Sequence, residues 1–364
     1  MTAFEWLLAP IALGITVLLL QAAFARSNRA SLAISVLSLV TSYYWGHNYF
    51  DQLILISSVA VIFFACLKEG SSEEFKILIL LSTLGALTCI HSDNWMNLFV
   101  GIELLTLPIY GLIAWDAHNS KNIQAAIKYL VLAGGSSAFL LLGMAFLYAE
   151  SGSMALQLGS AKGSLLLFVG IGFKLSLAPF HLWTGDVYED APLPVTGFLA
   201  TVSKIALVGV LVHVNPTQAV TPVLSAMAIL SMIAGSLLTL RQQNMSRFLG
   251  YSSIAHMGYI LVAWLVGGNI GFYLAAYTVT LLLIFWMLSW NPESKAGSLG
   301  LVFGFLSLMG LPILPIFWGK YQILLTAFSS EHWWLFGVFV FSSLIGVYGY
   351  ARLIARVCLR SVQA

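Results

Sequence analysis

Two lysines inside apolar segments are the first residues of this sequence that could carry protons. Residues 170–204 read GIGFKLSLAPFHLWTGDVYEDAPLPVTGFLATVSK, with Lys174 in one apolar segment and Lys204 in the next. Pro179 lies between them, and proline interrupts a helix because it lacks an N–H and clashes with the preceding turn. An ammonium at the centre of a membrane helix costs about 2.5–3.5 kcal/mol on insertion scales, so two of them indicate a function.

Burial changes the chemistry of such lysines, because it destabilises the charged form and makes proton uptake and release easier. We predict that Lys174 and Lys204, each roughly midway along its segment, are proton-loading sites. Lys320 ends a further run, GLPILPIFWGK (310–320), whose glycine and prolines predict a helix broken between Gly310 and Pro315. A broken helix frees backbone groups that bind ions or water, so we expect Lys320 to face a hydrated cavity.

One carboxylate, Glu103, lies well inside an apolar segment, in NLFVGIELLTLPIYG. A nearby lysine favours the ionised form of such an acid, so the two form a pair in which each protonation state depends on their separation. We predict that Glu103 pairs with Lys174, because these are the acid and the base most deeply placed in the first half of the chain. The alternative is a neutral carboxylic acid that is hydrogen-bonded within the bundle and has no part in transport.

Three more residues are candidates for proton relay. Lys128, in KNIQAAIKYLVLAGG, lies about a turn and a half inside its segment, so its ammonium could instead reach the cytoplasmic surface. His181 and His256 could relay protons, since imidazole titrates near neutral pH. For His256, in RFLGYSSIAHMGYILVA, the alternative is a histidine that only hydrogen-bonds between helices.

The composition predicts a membrane protein. The chain has 364 residues, of which 60% are hydrophobic and only 8% charged, with a net charge of +2. Soluble domains carry about 25% charged residues. The apolar segments are about 20 residues long and do not alternate, which predicts transmembrane helices rather than barrel strands. The sequence has no dinucleotide-binding glycine motif, P-loop, metal-ligand cysteine spacing or haem-type histidine pair, so we expect no cofactor in this chain and no nucleic-acid partner.

We predict an all-α polytopic bundle of about thirteen membrane spans joined by short loops. The first span is not expected to be a cleaved signal peptide, because it is full length and lacks a basic start. The predicted spans are residues 4–24, 30–47, 51–67, 75–91, 95–115, 122–149, 163–180, 193–214, 220–240, 247–267, 269–290, 299–328 and 333–357.

The basic residues predict the orientation of these spans. With the N-terminus outside, one side of the membrane holds only Lys162 in its loops, whereas the other side holds many more basic residues. Positively charged loops stay in the cytoplasm, so we expect a multi-pass protein of a bacterial inner membrane with an external N-terminus and a cytoplasmic C-terminus. The cytoplasmic set is Arg26, Arg29, Lys68, Lys76, Lys121, Arg241, Arg247, Lys295, Arg352, Arg356 and Arg360.

A weak internal repeat relates GFKLSLAPF (172–180) to GFLSLMGLPILPIFWGK (304–320). Each contains GF followed closely by LSL and a proline break near a lysine. Five spans separate them, which predicts two inverted five-helix repeats with broken helices seven and twelve. We expect a three-helix segment at 1–74, repeats at 75–215 and 216–359, and a tail at 360–364. The alternative is a chance occurrence of glycine and proline in membrane helices.

These motifs resemble the signature of the antiporter-like subunits of respiratory complex I, and most of all the N-type subunits that correspond to mitochondrial subunit 2. The similarity covers about residues 75–355 and implies a proton channel half-formed in each inverted repeat, with a hydrated polar axis along the middle of the membrane. The matching stretches are FKLSLAPFHLWTGDVYEDAPLPVTGFLATVSKIA (173–206), GIELLTLPIYGLIAW (101–115), IKYLVLAGGSSAFLLLGMAFLYAESG (127–152), NMSRFLGYSSIAHMGYILVA (244–263) and GLPILPIFWGKYQIL (310–324).

The resemblance implies roles for individual residues. Glu103 matches the helix-five glutamate of these subunits, on a helix implied to neighbour that of Lys174. Lys174, Lys204 and Lys320 match the lysines of helices seven, eight and twelve. Lys128 matches a basic residue often present in helix six. NAD, FMN, iron–sulfur clusters and quinone are expected in partner subunits, and the other membrane subunits of complex I and the lipid bilayer are the expected partners.

Some positions depart from the family pattern. Gly185 stands where the family usually has proline, and Ser246 replaces a lysine that is common before RLLGYSS. The connection at 291–298 is short, and the chain stops after the thirteenth predicted span, where bacterial relatives usually add another. The contacts missing at the C-terminal end bear on which complex the chain belongs to more than on the core mechanism.

The leading hypothesis is a proton-translocating subunit of NADH:quinone oxidoreductase, a respiratory-chain translocase, with no redox site in this chain. Two alternatives stay open. The chain could be the D-type subunit of a multisubunit Na⁺/H⁺ antiporter or a membrane arm of a related hydrogenase, or it could be a scaffold that has lost transport. Intact Glu103, Lys174, Lys204 and Lys320 argue against a scaffold. Titratable charges without a carboxylate cluster favour H⁺ over a metal ion.

Overall fold

The computed structural model describes residues 3–24, 28–46, 48–68, 72–116, 118–159, 161–214 and 216–363. Arg26 and His47 lie outside the described residues, as do the side chains of Arg29, Lys68 and Arg360. The helices are α1 (Ala3–Phe24), α2 (Asn28–Trp45), α3 (Tyr49–Lys68), α4 (Glu73–Ile90), α5 (Trp95–Ile113), α6 (Ser120–Ser151), α7 (Ala161–Lys174), α8 (Thr184–Asp190), α9 (Leu193–Ala200), α10 (Val202–His213), α11 (Thr221–Thr239), α12 (Met245–Leu265), α13 (Ile270–Trp290), α14 (Lys295–Met309), α15 (Pro315–Ser329) and α16 (Trp333–Gln363).

The helical bundle predicted from composition is confirmed, whereas the count of thirteen spans stays a prediction. Within the described ranges, nine helical stretches are long and apolar enough to cross a membrane by length and composition. Three of the remaining helices, α7, α14 and α15, have 14, 15 and 15 residues. A complete crossing needs about 20 residues. These three helices are shorter because a break ends α7 and α14 and precedes α15.

The first break comes earlier than predicted, because α7 ends at Lys174 and not near residue 180. Ser176 lies in the left-handed region with φ 64°. The N–H of Leu177 donates to the C=O of Gly172 at 2.7 Å, and the N–H of Ser176 donates to the C=O of Phe173 at 3.0 Å. These are the bonds of a Schellman motif, which glycine usually closes. The predicted end was wrong because serine occupies that position here.

The second break is present where the sequence predicts it. α14 ends at Met309, and α15 begins at Pro315. Gly310 adopts φ 92°, and the N–H of Leu311 donates to the C=O of Leu306 at 3.3 Å. The same motif ends α7, so the two breaks are built alike.

Two other expectations need correction. The predicted span 193–214 is divided at Thr201, where φ is −116° and ψ is −78°, and no glycine or proline marks that position. Lys76 was expected in a loop but lies in the first turn of α4, where it is 1% exposed. Its Nζ donates to the hydroxyl of Ser31 at 2.7 Å. Lys76 therefore gives no support to the orientation as a loop charge.

Gly310→Ala is expected to destabilise the protein by about 1–2 kcal/mol, because a side chain with L chirality is strained in the left-handed region. Thermal inactivation of the purified complex measures this effect. Gly337→Ala in α16 is the matched control, since a Cβ there meets nothing within 4 Å and alanine favours a helix. Equal heat resistance of the two variants would contradict the strained turn.

Candidate functional site

Glu103 of α5 and Lys174 of α7 form an ion pair at the first break. The ammonium nitrogen of Lys174 lies 3.8 Å from Oε1 of Glu103 and donates to Oγ1 of Thr106 at 3.3 Å. The hydroxyl of Ser137, from α6, donates to the same Oε1 at 2.5 Å. The side chain of Lys174 is 2% exposed and that of Glu103 is 23% exposed. The two residues are therefore as close as predicted, and the pair opens on the side of Glu103.

Lys204 of α10 lies against the end of α7. Its ammonium donates to the C=O of Leu175 at 3.1 Å and to the hydroxyl of Ser176 at 3.3 Å. Carbonyls at the end of a helix lack intrahelical donors and carry partial negative charge. A protonated Lys204 satisfies one of these carbonyls and is stabilised by it. Proton occupancy of Lys204 is thereby linked to the geometry of the first break.

Lys320 of α15 makes a similar contact at the second break. Its Nζ lies 3.4 Å from the C=O of Leu308 and 3.5 Å from the C=O of Met309. The same nitrogen lies 5.0 Å from the centre of the Tyr259 ring, within range of a cation–π interaction. In each half of the chain, a buried lysine therefore contacts the carbonyls that end the helix before the break.

His256 of α12 lies within a group of tyrosines. Its Nδ1 lies 2.6 Å from the hydroxyl oxygen of Tyr273, and its Nε2 lies 3.3 Å from that of Tyr350. A cavity of about 10 Å³, lined in part by His256, Tyr350 and Lys320, lies beside this group and has room for about one water molecule. His256 is thus hydrogen-bonded on both ring nitrogens and also lines a cavity with Lys320.

Three buried hydroxyls extend this polar group towards α8. Tyr277 of α13 stacks on His256 with 4.8 Å between ring centres. Tyr277 and Tyr188 of α8 both face the hydroxyl of Ser253, yet none of the three makes a well-formed hydrogen bond to a described residue. Buried polar groups are nearly always hydrogen-bonded to protein or water. The polar group around His256 therefore continues through Tyr277 and Ser253 to Tyr188 of α8.

Lys128 and His181 are placed differently from the buried lysines. Lys128 of α6 is 40% exposed, and its ammonium pairs with the carboxylate of Asp186 in α8. His181 lies in the connection between α7 and α8, where its Nδ1 is buried without a hydrogen-bond partner among the described residues. Among those residues, no hydrogen bond joins either side chain to Lys174 or Lys204.

Sequence reasoning missed a cluster of charges around α8, which we call the α8 cluster and which consists of Lys128, Asp186, Glu189 and Arg247. Oδ1 of Asp186 lies 3.1 Å from Nη2 of Arg247 and its Oδ2 pairs with Lys128. Nη1 of Arg247 lies 2.7 Å from Oε2 of Glu189. The only sequence signal was the acidic run GDVYED in the predicted connection, which does not reveal partners about 60 residues away.

A second unpredicted pair ties the N-terminal helices to the rest of the bundle. Nε2 of His91, at the end of α4, lies 2.9 Å and 3.0 Å from the two carboxylate oxygens of Asp51 in α3. The side chain of Asp51 is 1% exposed. Sequence reasoning did not predict this pair, because both residues fall at the boundaries of predicted spans.

Comparisons with known proteins show which families this chain is similar to. The profile of a family described as "NADH:quinone oxidoreductase/Mrp antiporter, TM" matches residues 92–298. NADH-quinone oxidoreductase subunit N of Ectopseudomonas mendocina (strain ymp) is 40% identical over 332 residues, which is 80% of this chain and 67% of that protein.

Solved structures with a similar fold include chains of the following three complexes. A chain of respiratory complex I from Thermus thermophilus with bound aureothin has a TM-score of 0.87 and 30% identity, over 96% of this chain and 89% of that chain. A chain of the archaeal membrane-bound sulfane sulfur reductase has a TM-score of 0.86 and 22% identity, over 96% and 87%. A chain of the Mrp complex from Dietzia sp. DQ12-45-1b has a TM-score of 0.80 and 17% identity, over 96% and 79%. The last two similarities concern the fold alone.

Proposed function

Because the chain belongs to the N-subunit family of NADH-quinone oxidoreductase, within the NADH:quinone oxidoreductase/Mrp antiporter proteins, we propose that it carries protons across the membrane as one subunit of such a complex. The observation that carries the proposal is the placement of Lys204 and Lys320 on helix-end carbonyls at the two breaks. A buried lysine held by such carbonyls can lose its proton only if the site rearranges or another charge arrives. Proton movement and helix position are therefore coupled.

The proposed path links the two halves of the chain. Glu103 and Lys174 exchange charge within the first half, and Lys204 receives the proton at the end of α7. Bound water at the hydroxyls near Tyr277 passes it to His256, and Lys320 completes the path in the second half. The supporting evidence is the ion pair of Glu103 and Lys174, the contact of Lys204 with Leu175, and the stacking of Tyr277 on His256. Lys128 is left out because it pairs with Asp186, and His181 because no hydrogen bond among the described residues joins it to Lys174 or Lys204.

We propose that a neighbouring membrane subunit covers Glu103. This residue lies near the middle of α5 and its side chain is 23% exposed in the single chain. A charged group facing lipid at that depth is unfavourable, so the surroundings of Glu103 must include protein or water. The electron carriers NAD, FMN, iron–sulfur clusters and quinone act in other subunits of the complex.

A cavity of about 590 Å³ is the proposed cytoplasmic mouth of the path. Asp116 and Asp190 lie in its wall, together with Pro192 and Leu193 at the start of α9. Partial burial and the nearby Glu189 raise the pKa of Asp190, which lies outside the predicted spans. Carboxylates at such a mouth attract protons from the cytoplasm.

The two breaks share the same pattern of backbone hydrogen bonds, and this similarity supports the proposed inverted repeats at 75–215 and 216–359. It also supports counting α7 with the residues up to 180, and α14 with α15, as complete crossings. Adding them, with α2 and α4, to the nine long stretches gives the thirteen spans. On that count the N-terminus is external and the C-terminus cytoplasmic in a bacterial inner membrane.

Reconstitution of the purified complex into sealed vesicles tests the proposed function. With NADH and quinone present, we expect the vesicles to accumulate protons in sodium-free buffer, at the same ratio to electrons as in sodium buffer. Exchange of Na⁺ for H⁺ without NADH would instead identify an antiporter subunit. Proton accumulation that requires sodium would contradict direct proton transport.

A further inference from the structure

The α8 cluster connects helices from both halves of the chain. α8 contributes Asp186 and Glu189, α6 contributes Lys128, and α12 contributes Arg247. The carboxylate of Asp186 is shared, since one oxygen pairs with Lys128 and the other with Arg247. Nε of Arg247 also donates to the hydroxyl of Tyr251 at 3.3 Å. Two positive and two negative side chains therefore hold α8 between α6 and α12.

The two helices that form ion pairs with α8 also carry residues that lie at the proposed proton path. On α6, Ser137 lies nine residues after Lys128 and donates to Glu103. On α12, His256 lies nine residues after Arg247, which is about 13 Å along a helix. α8 therefore joins two helices that each carry a residue of the proposed path or a contact to one.

α8 also belongs to the connection that separates the two central lysines. This connection begins directly after Lys174, and its first carbonyl and hydroxyl are the groups that Lys204 contacts. α8 packs closely on α12, since a Cβ at Gly185 would lie 2.5 Å from the hydroxyl of Tyr251. α8 thus lies in the same connection as the two groups that Lys204 contacts, and it is held closely against α12.

We propose that Asp186 is a positioning residue and that Lys128 is its counter-ion rather than a proton carrier. Asp186 fixes α8 between α6 and α12, and in this way holds the connection between Lys174 and Lys204 in register while protons pass. The inference rests on the proposed function, because its consequence is read as proton transport.

Two substitutions of Lys128 separate this role from proton transfer. Arginine keeps a cation beside Asp186 but stays protonated in proteins, whereas methionine fills similar space without charge. We expect the complex with Lys128→Arg to pump at the normal ratio of protons to electrons. We expect Lys128→Met to lower pumping about two- to fivefold, because the energy of a partly exposed ion pair corresponds to a factor of that size. Lys121→Met, which removes an exposed lysine two turns earlier on α6, is the matched control.

The outcomes decide between the two roles. If Lys128→Arg pumps as poorly as Lys128→Met, Lys128 is a proton carrier and the proposal is wrong. If Lys128→Met pumps normally, the pair with Asp186 is dispensable and the proposal is also wrong. Loss of pumping in Lys204→Ala alongside normal pumping in both Lys128 variants would leave the proposed function standing and remove only this inference.

A second measurement follows the position of α8 directly. In the complete complex, Asp186→Asn is expected to speed amide hydrogen exchange in residues 181–192 and to leave exchange in α11 unchanged. Asp186→Glu keeps the charge and is expected to restore slow exchange and most of the pumping. Unchanged exchange in Asp186→Asn would show that the packing of α8 does not depend on this carboxylate.

Discussion

Lys204→Ala is expected to lower proton pumping by about tenfold or more in a complex that still assembles, since a rise of only about 1.4 kcal/mol in the barrier slows a transfer tenfold. Alanine removes the ammonium that lies on the C=O of Leu175 at the end of α7. The proton then has no titratable group between Lys174 and the hydroxyls near His256. Electron transfer coupled to pumping is expected to fall with it, and Lys174→Ala is expected to have a similar effect.

Lys204→Arg distinguishes the loss of a proton carrier from the loss of a contact. Arginine keeps a cation and donors beside Leu175, but its guanidinium does not release a proton in proteins. We therefore expect Lys204→Arg to pump as poorly as Lys204→Ala, while it keeps the heat resistance of the unmodified complex. Alanine leaves a buried carbonyl without its partner, at a cost of about 1–3 kcal/mol.

Proton uptake into sealed vesicles, divided by the NADH oxidised, measures both variants. Reduction of a water-soluble electron acceptor by the partner subunits checks that the complex has assembled. Lys162→Ala is the matched control, because Lys162 is an exposed lysine at the start of α7. Full pumping by an assembled Lys204→Ala complex would remove Lys204 from the path.

Glu103→Gln is the second substitution expected to have a large effect. Glutamine keeps the shape of the side chain and can accept the hydrogen bond from Ser137, but it cannot hold or release a proton. At 3.8 Å, the carboxylate and the ammonium of Lys174 are in ion-pair contact. Unit charges about 4 Å apart interact by roughly 4 kcal/mol at an effective dielectric of 20, and a separation of 10 Å leaves less than half. A modest movement of α5 relative to α7 would therefore change the proton affinity of Lys174.

We expect Glu103→Gln to lower pumping about tenfold or more, because a loss of only about 1.4 kcal/mol of the coupling corresponds to a factor of ten. Glu103→Asp keeps the charge on a shorter side chain and is expected to pump at an intermediate rate. Glu293→Gln, in an exposed turn, is the control for a changed carboxylate. Normal pumping by Glu103→Gln would show that the ion pair has a structural role only.

The sequence predicted a helix break correctly where glycine and proline occur together. Glycine and proline gave the interruption before Pro315 correctly, because their backbone preferences are local. The end of α7 was placed too late because serine at 176 adopts a left-handed conformation that its type rarely adopts. The interruption at Thr201 depends on packing between α9 and its neighbours, and no local preference reports such packing.

The candidate site was predictable from the sequence where a charged residue stands alone in an apolar segment. An apolar helix with one lysine or one glutamate points to that residue, and Glu103 and Lys174 proved to be in contact. The partner of Lys128 was not predictable, because Asp186 follows 58 residues later on a helix of only seven residues. The pair between Asp51 and His91 likewise depends on how α3 and α4 meet.

The partial exposure of Glu103 also bears on how the complex is made. A newly inserted copy of this chain presents a carboxylate from the middle of α5, where contact with lipid costs about 2.5–3.5 kcal/mol on insertion scales. This free-energy cost applies only to copies in which no neighbouring subunit covers Glu103. Membrane proteases and chaperones that recognise polar groups within the bilayer would therefore distinguish orphan copies from assembled ones. The carboxylate that we propose for transport would thus also act as a checkpoint in biogenesis.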